Sequence, residues 1–183
     1  MITIKHVQIV VAIAMFSLNI LPNVWAATSR DSVVSKYNYR VVKVLDGDTL
    51  VASDGNVSFH VRIAGIDAPE KDQAYGKVSK LRLQELIGGE TIQIIPVGKG
   101  YDKYSRVLGK VLLDDKEPAI ILVEEGLATY YRPTCHDYPA DKQKYEYDIS
   151  PYLNAEFVAR KLKKNMWSNP NGILPCKWRR LGE

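Results

Sequence analysis

Carboxylates and arginines gather in three short segments of this chain: Asp46-Gly47-Asp48-Thr49, Arg62-Ile63-Ala64-Gly65-Ile66-Asp67-Ala68-Pro69-Glu70, and Tyr101-Asp102-Lys103-Tyr104-Ser105-Arg106. Taken singly, each has a plain explanation as a solvated turn, a turn before a helix, or a surface loop. Together they allow a definite chemistry. Asp48 and Asp67 are expected at the ends of strands that pair in one sheet, so their side chains can approach. Two close carboxylates repel, and a bound cation or a shared proton offsets that repulsion. Oxygen ligands of this kind suit Ca²⁺ or Mg²⁺ rather than zinc. Arg62 and Arg106 add positive charge that stays protonated near neutral pH and grips phosphate through two-point hydrogen bonds.

The surrounding pattern supplies elements to hold these groups. Tyr37 to Leu45 is rich in Val and Tyr and predicts a strand. After the Asp-Gly-Asp turn a strand resumes over Thr49 to Ser53. Asp54-Gly55 then marks a hairpin. Val57 to Ile66 is the expected return strand, with Phe59, Val61 and Ile63 alternating with His60, Arg62 and Ala64. Ala74 to Ile87 carries Val78, Leu81, Leu83, Leu86 and Ile87 among polar residues, an amphipathic helix ended by Gly88-Gly89. Thr91 to Val97 and Val107 to Leu113 predict two further strands. Pro118 to Glu125 predicts a short helix stopped by Gly126. Tyr130 to Ile149 is tyrosine-rich and irregular. Ser150-Pro151 opens a last helix to about Lys164, with Ser150 as N-cap and Asn165 in the left-handed cap position. Five short strands with a helix after the third predict an α+β fold: an OB-type barrel with three helices.

The chain has 183 residues, 46% of them hydrophobic and 25% charged, with a formal net charge of +4. This balance is globular and permits a polyanionic partner without requiring one. Lys5 and His6 precede an apolar run from Val7 to Leu21, and Val24-Trp25-Ala26 forms a small-residue cleavage signal. Residues 1–26 therefore read as a secretory signal peptide cut after Ala26, and 27–36 as a flexible leader. The protein is expected in the periplasm or outside the cell, as a monomer with no stable membrane association after cleavage. In an oxidising compartment the two cysteines favour a Cys135–Cys176 disulfide tying the tail, 169–183, to a mid-chain loop. Two free thiols are the alternative. With three histidines in all, a Ser-His-Asp or histidine-based mechanism is a poor fit. His60 and His136 read as structural or surface residues.

The ordered set DGDT, VRIAGIDAPE, DKYSR, LVEEGLA and the Ala155–Trp167 segment ending in Met-Trp resembles the staphylococcal-nuclease family. The likeness covers about Tyr37 to Trp167, within an expected domain of residues 37–168. The resemblance implies a calcium-dependent nuclease acting on DNA, RNA or both, with Mg²⁺ as the other ion the ligands admit. Asp48 and Asp67 match the family's metal carboxylates, and Ala68 stands where a backbone carbonyl is a ligand. Glu70 matches the carboxylate that activates the attacking water. Arg62 and Arg106 match the arginines on the scissile phosphate, while Lys103 and Tyr104 match positions near the bound nucleotide. Ser105 departs from the glycine usual at its position. Tyr130, Tyr131 and Arg132 lie near the family's base-stacking tyrosines with different spacing. The alternative function is a non-catalytic nucleic-acid-binding module on the same barrel. A barrel for a saccharide or protein surface leaves the paired aspartates and both arginines unexplained.

Overall fold

Alternating apolar residues bend the first half of the chain into a barrel whose edge carries the site. The computed structural model describes residues 38–135 and 146–181. The expected signal peptide, the leader and His136 lie outside them. Strand β1 (Asn38–Val44) pairs antiparallel with β2 (Thr49–Ser53), and β2 with β3 (Ser58–Ile63). The hairpin between β2 and β3 follows its sequence chemistry. Asp54 Oδ1 accepts the N–H groups of Asn56 and Val57, both at 2.9 Å, and Gly55 takes φ 100°.

β5 (Thr91–Tyr101) and β6 (Val107–Leu112) complete the sheet, which closes in the order β1-β2-β3-β6-β5 with β5 returning to β1. The β3–β6 pair is parallel, setting Val61 against Val107 and Arg62 against Leu108. Inside the barrel lie Val41, Val44, Leu50, Ala52, Val61, Ile63, Ile92 and Val111, each no more than 1% exposed. Burial of each large aliphatic side chain contributes about 1.5–3 kcal/mol.

The expected return strand from Val57 to Ile66 is in fact two. It breaks at Ala64-Gly65, where Gly65 takes φ 88°, and Ile66–Asp67 form a separate strand, β4. A Cβ on Gly65 would lie 2.5 Å from the Tyr152 ring, so glycine is needed there for space as well as for angle. β4 pairs with β7 (Thr129–Tyr130), a strand inside a stretch expected to be irregular.

Helix α1 (Gly76–Ile87) starts two residues later than expected, because Tyr75 takes the left-handed φ of 68°. Its buried face is Gly76, Ser79, Leu83 and Ile87, while Val78 and Leu81 are exposed. β5 also runs past Val97: Gly98 and Gly100 take positive φ and shift the register while the strand continues. Helix α2 spans Pro118–Glu124.

Helix α3 (Ser150–Lys161) ends before the expected Lys164, and Lys163 and Asn165 both take positive φ. Ser150 is its first helical residue rather than its cap. Asp148 Oδ1 accepts the Ser150 N–H at 2.9 Å instead. A short 3₁₀ turn covers Asn165–Ser168, and a fourth helix, α4 (Pro175–Leu181), lies in the tail. The described residues therefore form four α-helices rather than three. Among the described residues, no helix is long and apolar enough to cross a membrane.

Candidate active site

The start of β2 and the β3–β4 corner meet at one end of the barrel. Ile63 N–H donates to Asp48 C=O at 2.8 Å, so Asp48 sits beside the end of β3. Its side chain makes two local bonds. Oδ1 accepts the Thr49 hydroxyl at 3.0 Å, and Oδ2 accepts the Ala68 N–H at 2.8 Å. Gly47 permits this packing: a Cβ there would fall 1.9 Å from Ser79 Oγ and 2.7 Å from Ala68 Cβ. Asp48 and Asp67 do approach, but not as members of one sheet, since Asp67 belongs to the separate β4–β7 ladder. The kink at Gly65 swings Asp67 back toward Asp48.

Arg62 binds the two aspartates together. Its Nη2 lies 2.9 Å from Asp48 Oδ2 and 3.3 Å from Asp67 Oδ1. Its Nη1 donates to the carbonyls of Ile63 at 2.6 Å and Ile66 at 2.9 Å. The guanidinium thus also staples the corner that the Gly65 kink creates. Both aspartates are buried, Asp67 at 2% exposure. Burial pushes the Asp67 carboxyl above its usual range, and the nearby Arg62 and Arg179 charges only partly oppose it. Burial and the Asp48 charge likewise push Asp46 up to about 6.

Arg179 of α4 is a member of this cluster that sequence reasoning missed. Its Nη2 contacts both Asp67 oxygens, at 2.9 and 2.8 Å, and its Nη1 contacts Glu70 Oε1 at 2.6 Å. Burial acts against its charge, but the bonds to Asp67 and Glu70 outweigh that and hold its pKa above the ordinary arginine value. Glu70 is placed by a local ring: its N–H donates to Gln73 Oε1 at 3.1 Å, while Gln73 Nε2 donates to Ile173 C=O at 2.7 Å. Cys135 and Cys176 are joined, with S–S 2.07 Å, which anchors α4. The signal that could have exposed Arg179 is the disulfide itself. Cys176 and Arg179 are three residues apart and share one helix face.

Asp48, Arg62, Asp67, Ala68 and Glu70 are therefore gathered together. Lys103, Tyr104 and Arg106 form a second cluster on the β5–β6 loop. Arg106 Nε and Nη2 both lie 2.7 Å from Asp102 Oδ2, and the Tyr104 ring centroid is 5.4 Å from the Arg106 guanidinium. Burial opposes charge on Asp102, but bonds from Arg106 and the Tyr104 N–H hold its carboxyl below the usual range. This loop is joined to the first cluster by the parallel strand pair. Leu108 is in register with Arg62, and Arg106 lies two residues before it, about 7 Å along the strand.

Ser105 takes φ 62°, an angle that suits glycine. Ser105→Gly is expected to raise the melting temperature by about 2–4 °C, a gain near 1 kcal/mol offset slightly by chain entropy. A thermal melt checks this, and a fall in melting temperature would count against strain at this position.

Among the described residues, no three His, Cys, Asp or Glu side chains are grouped so as to hold a metal ion by themselves. The Asp48–Asp67 pair with the main chain of Ala68 nonetheless fits a hard divalent cation. Its donors are oxygens, the carboxylates are buried, and guanidiniums balance their charge here.

Known proteins are similar to this chain in sequence. Residues 60–169 match the family described as staphylococcal nuclease homologue. An "Uncharacterized endonuclease" of Haemophilus influenzae is 36% identical over 169 residues, covering 92% of this chain and 85% of that protein. A "Micrococcal nuclease" of Shigella flexneri is 37% identical over 152 residues, covering 78% and 80%. A "Thermonuclease" of Staphylococcus hyicus is 30% identical over 146 residues, covering 75% and 80%.

Proposed function

The chain belongs to the staphylococcal nuclease family, and on that premise we propose that it is an exported, calcium-dependent endonuclease hydrolysing phosphodiester bonds of DNA, RNA or both. The observation that carries this reading is the meeting of Asp48 and Asp67 on Arg62 and of Asp67 and Glu70 on Arg179, with Arg106 in the loop that leads into the adjoining strand β6.

Asp48, Asp67 and the Ala68 carbonyl are the groups that would hold the ion. When bound, Ca²⁺ supplies a Lewis acid for a phosphate oxygen and a seat for water. The remaining work falls to the chain. The Glu70 side chain is 39% exposed, so it can reach a water at the site, orient it and accept its proton. Arg62 and Arg106 offset negative charge as the phosphorus becomes five-coordinate. Lys103 and the exposed Tyr104 face the incoming strand, where an amine suits phosphate and a ring suits a base. The Cys135–Cys176 bond supports export, since such bonds persist in oxidising compartments. In this reading residues 1–26 are removed, and the mature chain is a periplasmic or extracellular monomer.

The test is direct. Mature protein is incubated with single-stranded DNA, duplex DNA and RNA, in Ca²⁺, in Mg²⁺ and in chelator. Cleavage is expected with Ca²⁺ and should fall at least about a thousandfold in chelator. Cleavage indifferent to chelator would overturn the cation assignment. Retention on DNA without cleavage would identify a binding module instead.

A further inference from the structure

Arg179 stands where a cation would have to bind. One nitrogen, Nη2, sits against both oxygens of Asp67 at 2.9 and 2.8 Å, the position of a chelated ion. The same guanidinium holds Glu70 Oε1 at 2.6 Å through Nη1. Calcium needs carboxylate oxygens at about 2.3–2.6 Å. It cannot share both Asp67 oxygens with this nitrogen.

One arginine must therefore give way, and the two differ in how they are held. The Arg62 side chain is 13% exposed and is fastened to the carbonyls of Ile63 and Ile66. The Arg179 side chain is 41% exposed, and its described bonds all go to the two carboxylates. Arg179 is the group that can leave. It cannot go far, because Cys176, one helical turn earlier, is bonded to Cys135. The tail is further held by Arg180 Nη2 on Thr134 C=O at 3.3 Å and by Gln73 on Ile173.

We propose that Arg179 is a tethered internal counter-ion of the metal site. Without a cation it neutralises and aligns Asp67 and Glu70. Cation binding expels it, and the disulfide keeps it close enough to return. This inference rests on the cation-site reading of Asp48 and Asp67. It adds a competitor, held at high effective concentration, that sets the calcium level at which the site fills.

The test measures calcium binding alone, by calorimetry on the mature chain, with no substrate present. Arg179→Gln is expected to bind Ca²⁺ roughly tenfold or more tightly than the wild-type chain, because a charged two-point contact no longer competes. Arg179→Lys keeps a charge but loses the two-point grip, and should gain less. Replacing both cysteines by serine should also tighten binding, and it should add little further in the Arg179→Gln background. Melting supplies a second readout. Arg179→Gln should melt below wild type in chelator, where Asp67 loses a partner, and the gap should close in saturating Ca²⁺. Unchanged or weaker calcium binding by Arg179→Gln overturns the proposal and leaves the cation site standing. No calcium binding by any variant overturns both.

Discussion

Arg106→Ala is expected to cut turnover about a hundredfold to a thousandfold, the usual effect of removing one donor to developing charge. Its effect on stability should be no more than about 1 kcal/mol, since the Arg106–Asp102 pair is partly exposed. Arg62→Ala should cut turnover at least as far and also destabilise the fold by about 3 kcal/mol, because it leaves buried carboxylates short of a partner. Sequence reasoning alone gives the two arginines one role, on the scissile phosphate. The structure separates them: Arg62 carries the β3–β4 corner as well as the site. Steady-state cleavage and urea unfolding of both variants check this. Near-wild-type cleavage by Arg106→Ala would remove that residue from the mechanism.

Glu156→Ala should be the most destabilising change outside the barrel, at about 3–5 kcal/mol. Glu156 is 3% exposed and lies on the buried face of α3. Its carboxylate accepts the Tyr130 N–H at 3.0 Å, Arg132 Nη2 at 2.5 Å and Arg160 Nε at 2.7 Å. Arg132 is itself 4% exposed, with its guanidinium 3.6 Å from the Tyr130 ring centroid. Removing the carboxylate strands a buried cation and a buried N–H together. The damage reaches the site, because Tyr130 and Thr129 form β7, and Thr129 is paired with Asp67. A denaturation midpoint lowered by less than about 1 kcal/mol would show that this network is not what holds β7.

These two cases mark what could be seen in the sequence and what could not. Val- and Tyr-rich composition and the flanking turn residues predict β1, β2, β5 and β6, while period-2 alternation predicts β3 and brings Arg62 to the right strand. The break at Gly65 was invisible, since apolar residues continue through Ile66 on either side of it. β7 was missed for a different reason. Two residues carry no period, and their strand exists only because β4 lies opposite. Tyr130 and Arg132 are accordingly buried, and both are tied to Glu156. Helix α4 and Arg179 lie beyond the recognisable motifs, and long-range contacts, the disulfide among them, place them at the carboxylates.

The parallel seam between β3 and β6 has a consequence for folding. Val61 and Val107 are neighbours across it, yet α1 and all of β5 are threaded between them in the chain. Contacts of such long sequence separation form late, after the cost of closing the intervening loop has been met. Arg62 belongs to one lip of that seam and Arg106 to the other. Hairpins and α1 can form earlier from local contacts, but the two arginines take up their spacing only when the barrel shuts. A nascent or partly folded chain therefore has no working site, and cleavage should appear during refolding in step with barrel closure, not with the first rise in secondary structure.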